Sequence, residues 1–173
     1  MRRLAIGALA LLAACDDGTV ISHVDKDETI EINDLVTFQR DGAIPTEVHG
    51  APFSRASAKD VARFLRPPSG AAQGIRWRAI EVGSDPHGYR MVLHFNPSAP
   101  PNAAADCKRF RPAVTMRPQE VGFSVNLSIC DGERARAHGY LQARKTEDGD
   151  YQDFTRVMRA LMNNIFTEAR HDR

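Results

Sequence analysis

The stretch from Val121 to Lys145 constrains this chain more than any other. Val121, Phe123, Val125, Leu127 and Ile129 alternate with Gly122, Ser124, Asn126, Ser128 and Cys130. A period of two held this long describes a β-strand with one apolar and one polar face. Asp131-Gly132 then supplies a two-residue hairpin turn. The partner strand alternates as well, with Ala135, Ala137, Gly139, Leu141 and Ala143 on one side. Arg134, Arg136, His138, Tyr140, Gln142 and Arg144 take the other. An antiparallel ribbon with one apolar face must cover that face with another layer.

The next segment is built to be that layer. Glu147-Asp148-Gly149 turns the chain and Asp150 can cap a helix. Phe154, Val157, Met158, Leu161, Met162, Ile165, Phe166 and Ala169 then recur at helical spacing as a wide apolar stripe. The small residues from Ala135 to Ala143 would let such a helix approach closely. A shorter helix starts at Ser57, where Ser57-Ala58-Lys59-Asp60 is similar to a capping box, and Pro67-Pro68 stops it. Its apolar face is Val61, Phe64 and Leu65.

Elsewhere the pattern is patchier. Ile75, Trp77 and Ala79, then Tyr89, Met91, Leu93 and Phe95, alternate on either side of the turn-forming run Gly83–Gly88, which predicts a second hairpin. Thr29–Gln39 fits a bent strand, or a short strand and a turn. Pro45–Phe53 carries two prolines and a glycine and is expected as an extended, ordered loop anchored by Val48 and Phe53. The proline-rich Asn96–Ala105 must leave the sheet. These elements predict a two-layer α+β domain over residues 29–173. Its antiparallel sheet has four to five strands, with the long C-terminal helix and the short helix on one face. With 173 residues and no internal repeat, one domain is expected.

The first residues set the address. Arg2 and Arg3 precede an uncharged apolar run from Leu4 to Ala14, a length that suits a secretory signal and falls short of a membrane span. Leu12-Ala13-Ala14-Cys15 resembles the lipobox of bacterial lipoproteins. The resemblance covers these fifteen residues alone and implies a signal peptide over 1–14 and a diacylglycerol thioether on Cys15 with an acylated amino terminus. It also implies partnership with the membrane through lipidated Cys15, and a periplasm-facing place in the cell envelope. Asp16-Asp17 leans the choice toward the inner membrane over the outer. Residues 15–28, polar and mixed in charge, are expected as a tether. With Cys15 acylated, Cys107 and Cys130 remain. An oxidising compartment favours their disulfide over two free thiols or a metal pair.

Removing Arg2 and Arg3 takes 23 basic residues to 21 against 22 acidic ones. That balance argues against nucleic acid as a partner. No two of the six histidines have helical metal-ligand spacing, so no metal is expected, and no cofactor motif is present. No nucleophile has a sequence-supported base, so no catalytic residue is assigned. Two weaker signals remain. Arg76, Arg78, Arg90, Arg134, Arg136 and Arg144 are expected on the sheet's polar face, where their forked guanidinium groups could hold anionic headgroups, cell-wall carboxylates or an acidic protein. Glu47 with His49, and His94 with His138, are candidate polar pairs. The expected function is a non-catalytic binding or assembly role in the envelope; the alternative is an envelope hydrolase without a familiar motif.

Overall fold

The ribbon and its helix form as the periodicities require, but their surroundings are richer. A computed structural model describes residues 18–27, 29–85, 87–109 and 111–167; the signal segment, Cys15 and Ala169 lie outside these. The strands are β1 (Thr19–Lys26), β2 (Ile44–His49), β3 (Trp77–Ile80), β4 (Tyr89–Phe95), β5 (Val121–Asp131) and β6 (Arg134–Glu147). The helices are α1 (Ala58–Phe64), α2 (Ala103–Cys107) and α3 (Tyr151–Thr167). One six-stranded sheet runs in the order β1-β6-β5-β4-β2-β3. The pairs β1–β6, β5–β6 and β4–β5 are antiparallel, and β2 is parallel to both β3 and β4. The α+β class holds, but the sheet is mixed and six-stranded instead of antiparallel with four to five strands.

Four local readings change. The expected hairpin between the 77–79 and 89–95 runs does not form, because β2 lies between them. The loop after β3 carries the chain back past β2, so all three strands run the same way. Pro45 does not keep its segment out of the sheet interior, since it sits at the second position of β2 and the strand's other amides remain free to donate. The expected tether is also overturned over Thr19–Lys26, which pairs with β6 from Thr19↔Ala143 to Lys26↔Ala137. The ladder uses backbone groups, so polar side chains do not prevent it, and β1 covers what would be a long open edge of β6. Finally, Ile32–Val36 is a 3-10 turn, delivering Ile30, Leu35 and Phe38 to the core.

The main core lies between the sheet and α1 and α3. Phe154, Val157, Met158, Leu161, Met162 and Ile165 of α3 are all buried. They meet Met91, Leu93, Phe95, Phe123, Val125, Leu127, Ile129 and Leu141. Gly139 is what permits the close approach, because a Cβ there would stand 2.9 Å from Leu161 Cδ1 and 3.1 Å from Ile165 Cγ1. Ser57 caps α1 as its sequence requires, with its side chain and that of Asp60 satisfying each other's backbone amides. Asp150 does the same for α3, accepting from the amides of Gln152 and Asp153. The hairpin turn falls one residue later than expected, on Gly132-Glu133, since Asp131 pairs with Arg134. A register shift near Cys130 moves Ala135 off the small-residue face and against the disulfide.

Candidate functional site

The sheet face opposite α3 holds the polar chemistry, and it is covered. Cys107 and Cys130 form the disulfide, with their Cα atoms 5.5 Å apart. Cys130 points to this second face by strand alternation, so the bond pins α2 and the chain around it over the sheet. The expectation of helices on one face alone therefore fails for α2, whose Cys107 packs with Val92 and Cys130. Asn102 caps it by accepting from the amide of Ala105.

Beneath this cover the register aligns two rows of side chains. Glu47 lies level with Val92 and Ser128; His49 lies level with His94 and Asn126. Arg90 is 1% exposed, Glu47 0% and His49 1%. Arg90 donates from Nε to Glu47 Oε1 at 2.8 Å, from Nη1 to the Gly132 carbonyl at 2.7 Å and from Nη2 to the Cys107 carbonyl at 2.6 Å. Its fork thus ties three separate parts of the chain together. Asp106, from α2, sits 3.1 Å from His94 Nδ1 and accepts a short hydrogen bond from Asn126 Nδ2. Arg109 Nε approaches the same carboxylate at 3.7 Å.

The two histidines differ in what they face. His49 Nδ1 accepts the Ala113 amide at 3.0 Å. A ring nitrogen that accepts carries no proton, so the His49 proton sits on Nε2. There it faces Glu47 Oε2 at 3.7 Å, beyond hydrogen-bond length. His94 instead faces two acceptors, Asp106 Oδ1 and the Val114 carbonyl, the latter 3.3 Å from Nε2. The rings are 5.9 Å apart, centroid to centroid. A histidine with its Nδ1 already accepting and its Nε2 protonated has no lone pair to give a metal. Among the described residues no group of three or more His, Cys, Asp or Glu side chains is arranged to hold one.

A second polar assembly is open to solvent. A cleft of about 520 Å³ lies between the β1–β6 edge and α2, lined by Asp25, Asp27, Arg136 and His138 on one side and by Pro101 and Ala104 on the other. Asp25 and His138 are paired across the ladder. Burial holds the His138 imidazole below its ordinary pKa, with Asp25 pulling it up and His23 pushing it down. Asp27 is held below the usual carboxylate value, chiefly by hydrogen bonds from the Thr29 backbone and hydroxyl, with Arg136 and Arg134 adding to this. Arg136 also donates to Thr29 Oγ1 at 2.7 Å.

These placements redraw the candidates. The six arginines do not share one open face. Arg90 is buried and committed to three acceptors, and Arg134 is bound to Asp27 at 2.8 Å. Arg76 and Arg78 are exposed at the far β3 edge, and Arg144 is exposed near the end of β6. Only Arg136 of the six lines the cleft. Glu47, His49 and His94 do converge, but under cover, while His138 stands apart in the cleft. Sequence reasoning missed Asp106 and Asn126, although a signal existed. A disulfide from Cys107 to the polar face of β5 brings the neighbouring Asp106 close to that face, where it meets Asn126. Comparison of the chain with protein-family models, with curated proteins and with solved structures finds no match.

Proposed function

We propose that this protein is a membrane-anchored bacterial lipoprotein, held in the cell envelope by acylated Cys15, that binds an envelope partner without catalysing a reaction. Its contact site is the cleft between β1, β6 and α2. The observation that carries the reading is the division of labour on the second sheet face. Glu47, Arg90, His94 and Asp106 are turned to one another beneath a disulfide-held cover, so they rivet that cover instead of meeting a ligand. Asp25, Asp27, Arg136 and His138 line open space within the usual volume range of ligand sites. The partner is a protein or cell-wall component presenting both charged and apolar groups. The lipobox supports the anchor, and the paired cysteines agree with export.

The test is crosslinking in cells. A photoreactive group at Ala104, on the cleft wall, is expected to capture a partner, whereas one at Arg76 is not. Ala104→Arg in a chain labelled at Pro101 should block capture by filling the mouth; undiminished capture refutes the cleft as the contact site. Cys15→Ala should release the protein from membranes, and retention refutes the anchor.

One observation favours a second reading, an envelope hydrolase. His138 is half-buried beside Asp25 in the open cleft, and burial favours its neutral, proton-accepting form. That reading requires labelled cell-wall sacculi to release fragments in the presence of the protein, and His138→Ala to abolish the release while the fold survives.

A further inference from the structure

Resting on the lipoprotein reading, we infer that the pole of the domain where β1 begins is seated on the lipid bilayer that holds the acyl chains. The length of chain outside the sheet supplies the first argument. Gly18 is already fixed, because its carbonyl accepts the Arg144 amide at 3.0 Å, and Thr19 pairs with Ala143. From Cys15 to Gly18 there are three residue steps, which reach at most about 11 Å when fully extended. The domain therefore cannot stand off from a membrane that holds Cys15. The pole carrying Gly18 must face the headgroups.

The second argument is where the exposed apolar side chains fall. Among the described residues the large exposed ones are Val20, Val36, Val114 (74%), Met116 (52%) and Val121 (50%). Four of these five lie at the pole that carries Gly18. Val20 is the second residue of β1. Val121 begins β5, opposite Glu147 at the end of β6. Met116 donates its amide to the carbonyl of Asn96, just past the end of β4, at 2.7 Å, and Val114 is two residues before it. Strands spaced about 4.8 Å apart put this row from β1 to β4 within roughly 14 Å.

Val36 is the exception, at the opposite pole. Its 3-10 turn follows the far end of β1, and Phe38 stacks on Tyr89 at the start of β4. Exposed Arg117, Arg144 and Lys145 stand near the patch, but so do exposed Glu120, Glu147 and Asp148. The charges nearly cancel, so the contact is apolar insertion into the headgroup zone rather than attraction to anionic lipid.

The experiment uses the acylated chain, purified from membranes and reconstituted in phosphatidylethanolamine–phosphatidylglycerol vesicles. In separate samples Met116, Val121, Val36 or Glu133 is replaced by benzoylphenylalanine (Met116→benzoylphenylalanine and so on). After irradiation, mass spectrometry reads both lipid adducts and the mass of the N-terminal peptide. Lipid adducts at 116 and 121, at least fivefold above those at 36 and 133, are expected. Equal yields at both poles, no lipid adducts at 116 and 121, or adducts there to protein instead of lipid overturn the seating while an acylated N-terminal peptide leaves the anchor standing. An N-terminal peptide without acyl mass overturns the anchor, and the seating with it.

Discussion

Arg90 and Glu47 should behave as one unit, and separating them should destabilise the domain more than removing both. Arg90→Met deletes the guanidinium but keeps a chain of similar length. It leaves Glu47 charged at 0% exposure and takes the donors from the carbonyls of Gly132 and Cys107. Breaking a buried ion pair from one side costs about 3–5 kcal/mol. At roughly 2–4 °C per kcal/mol for a chain of this size, the Tm should fall by roughly 10 °C. Glu47→Leu leaves the guanidinium without its counter-ion but with two carbonyl acceptors, so its cost should lie nearer about 3 kcal/mol. The double variant removes both charges. What remains is two carbonyls that have lost a donor, at about 1–3 kcal/mol each. The double variant should therefore be no less stable than Arg90→Met alone, giving a coupling of about 3 kcal/mol. Equilibrium urea unfolding of the oxidised mature domain, followed by far-UV circular dichroism, measures all four corners of the cycle. A double variant whose loss equals the sum of the singles within about 0.5 kcal/mol would refute the reasoning.

Cys107→Ala with Cys130→Ala should lose about 3 kcal/mol, the chain-entropy value for a sequence separation of 23; an unchanged urea midpoint contradicts this. Gly139→Ala should cost about 1–3 kcal/mol through overpacking against Leu161 and Ile165, even though alanine is the better strand residue elsewhere. A stabilised variant would show that α3 can withdraw freely. His138 should make the fold sensitive to mild acid. Its folded pKa lies below the ordinary 6.5, so the unfolded chain binds more protons between the two values. Stability is then fully present above 6.5 and is lost as pH falls through the depressed value. His138→Gln should remove that loss, and identical acid dependence of the two proteins rules the effect out.

How far the sequence could be read depends on how local the governing interactions are. Ser57 with Asp60, Asp150 at the start of α3, and the alternation of β5 and β6 each involve neighbours a few residues apart or a simple period. The caps appear where expected, and the alternation holds except at Ala135, which the register shift near Cys130 moves to the other face. The β2 strand was illegible because its place is decided by β3 and β4, which flank it from distant parts of the sequence. Pro45 within it, and Gly50 and Pro52 just after it, are signals of a loop only when nothing pairs with the chain between them. For the same reason Thr19–Lys26 looked like a linker: its strand state depends on β6, over a hundred residues away, and on backbone groups that carry no side-chain signature. The alternation puts the arginines on the correct sides of Trp77, Met91 and Ala137, but nothing local shows that the side facing away from α3 is itself covered. The α2 cover turns the middle of that side into a second interior, and Arg90 into a buried tie.

The periodic elements, the turn region between β5 and β6, the helix caps and the motif that proposes an anchor are thus legible in the residues alone, and the cysteine pairing follows from them once Cys15 is assigned to lipid. Short-range geometry and residue count are sufficient for these. The strand order, the burial of Glu47, His49, Arg90 and His94, and the opening of a cleft at His138 are set by the assembled fold. Those outcomes depend on which distant segments meet. The free energy of a side chain is set by the neighbours it acquires, so an arginine on a polar strand face is solvated or sealed according to what folds over it.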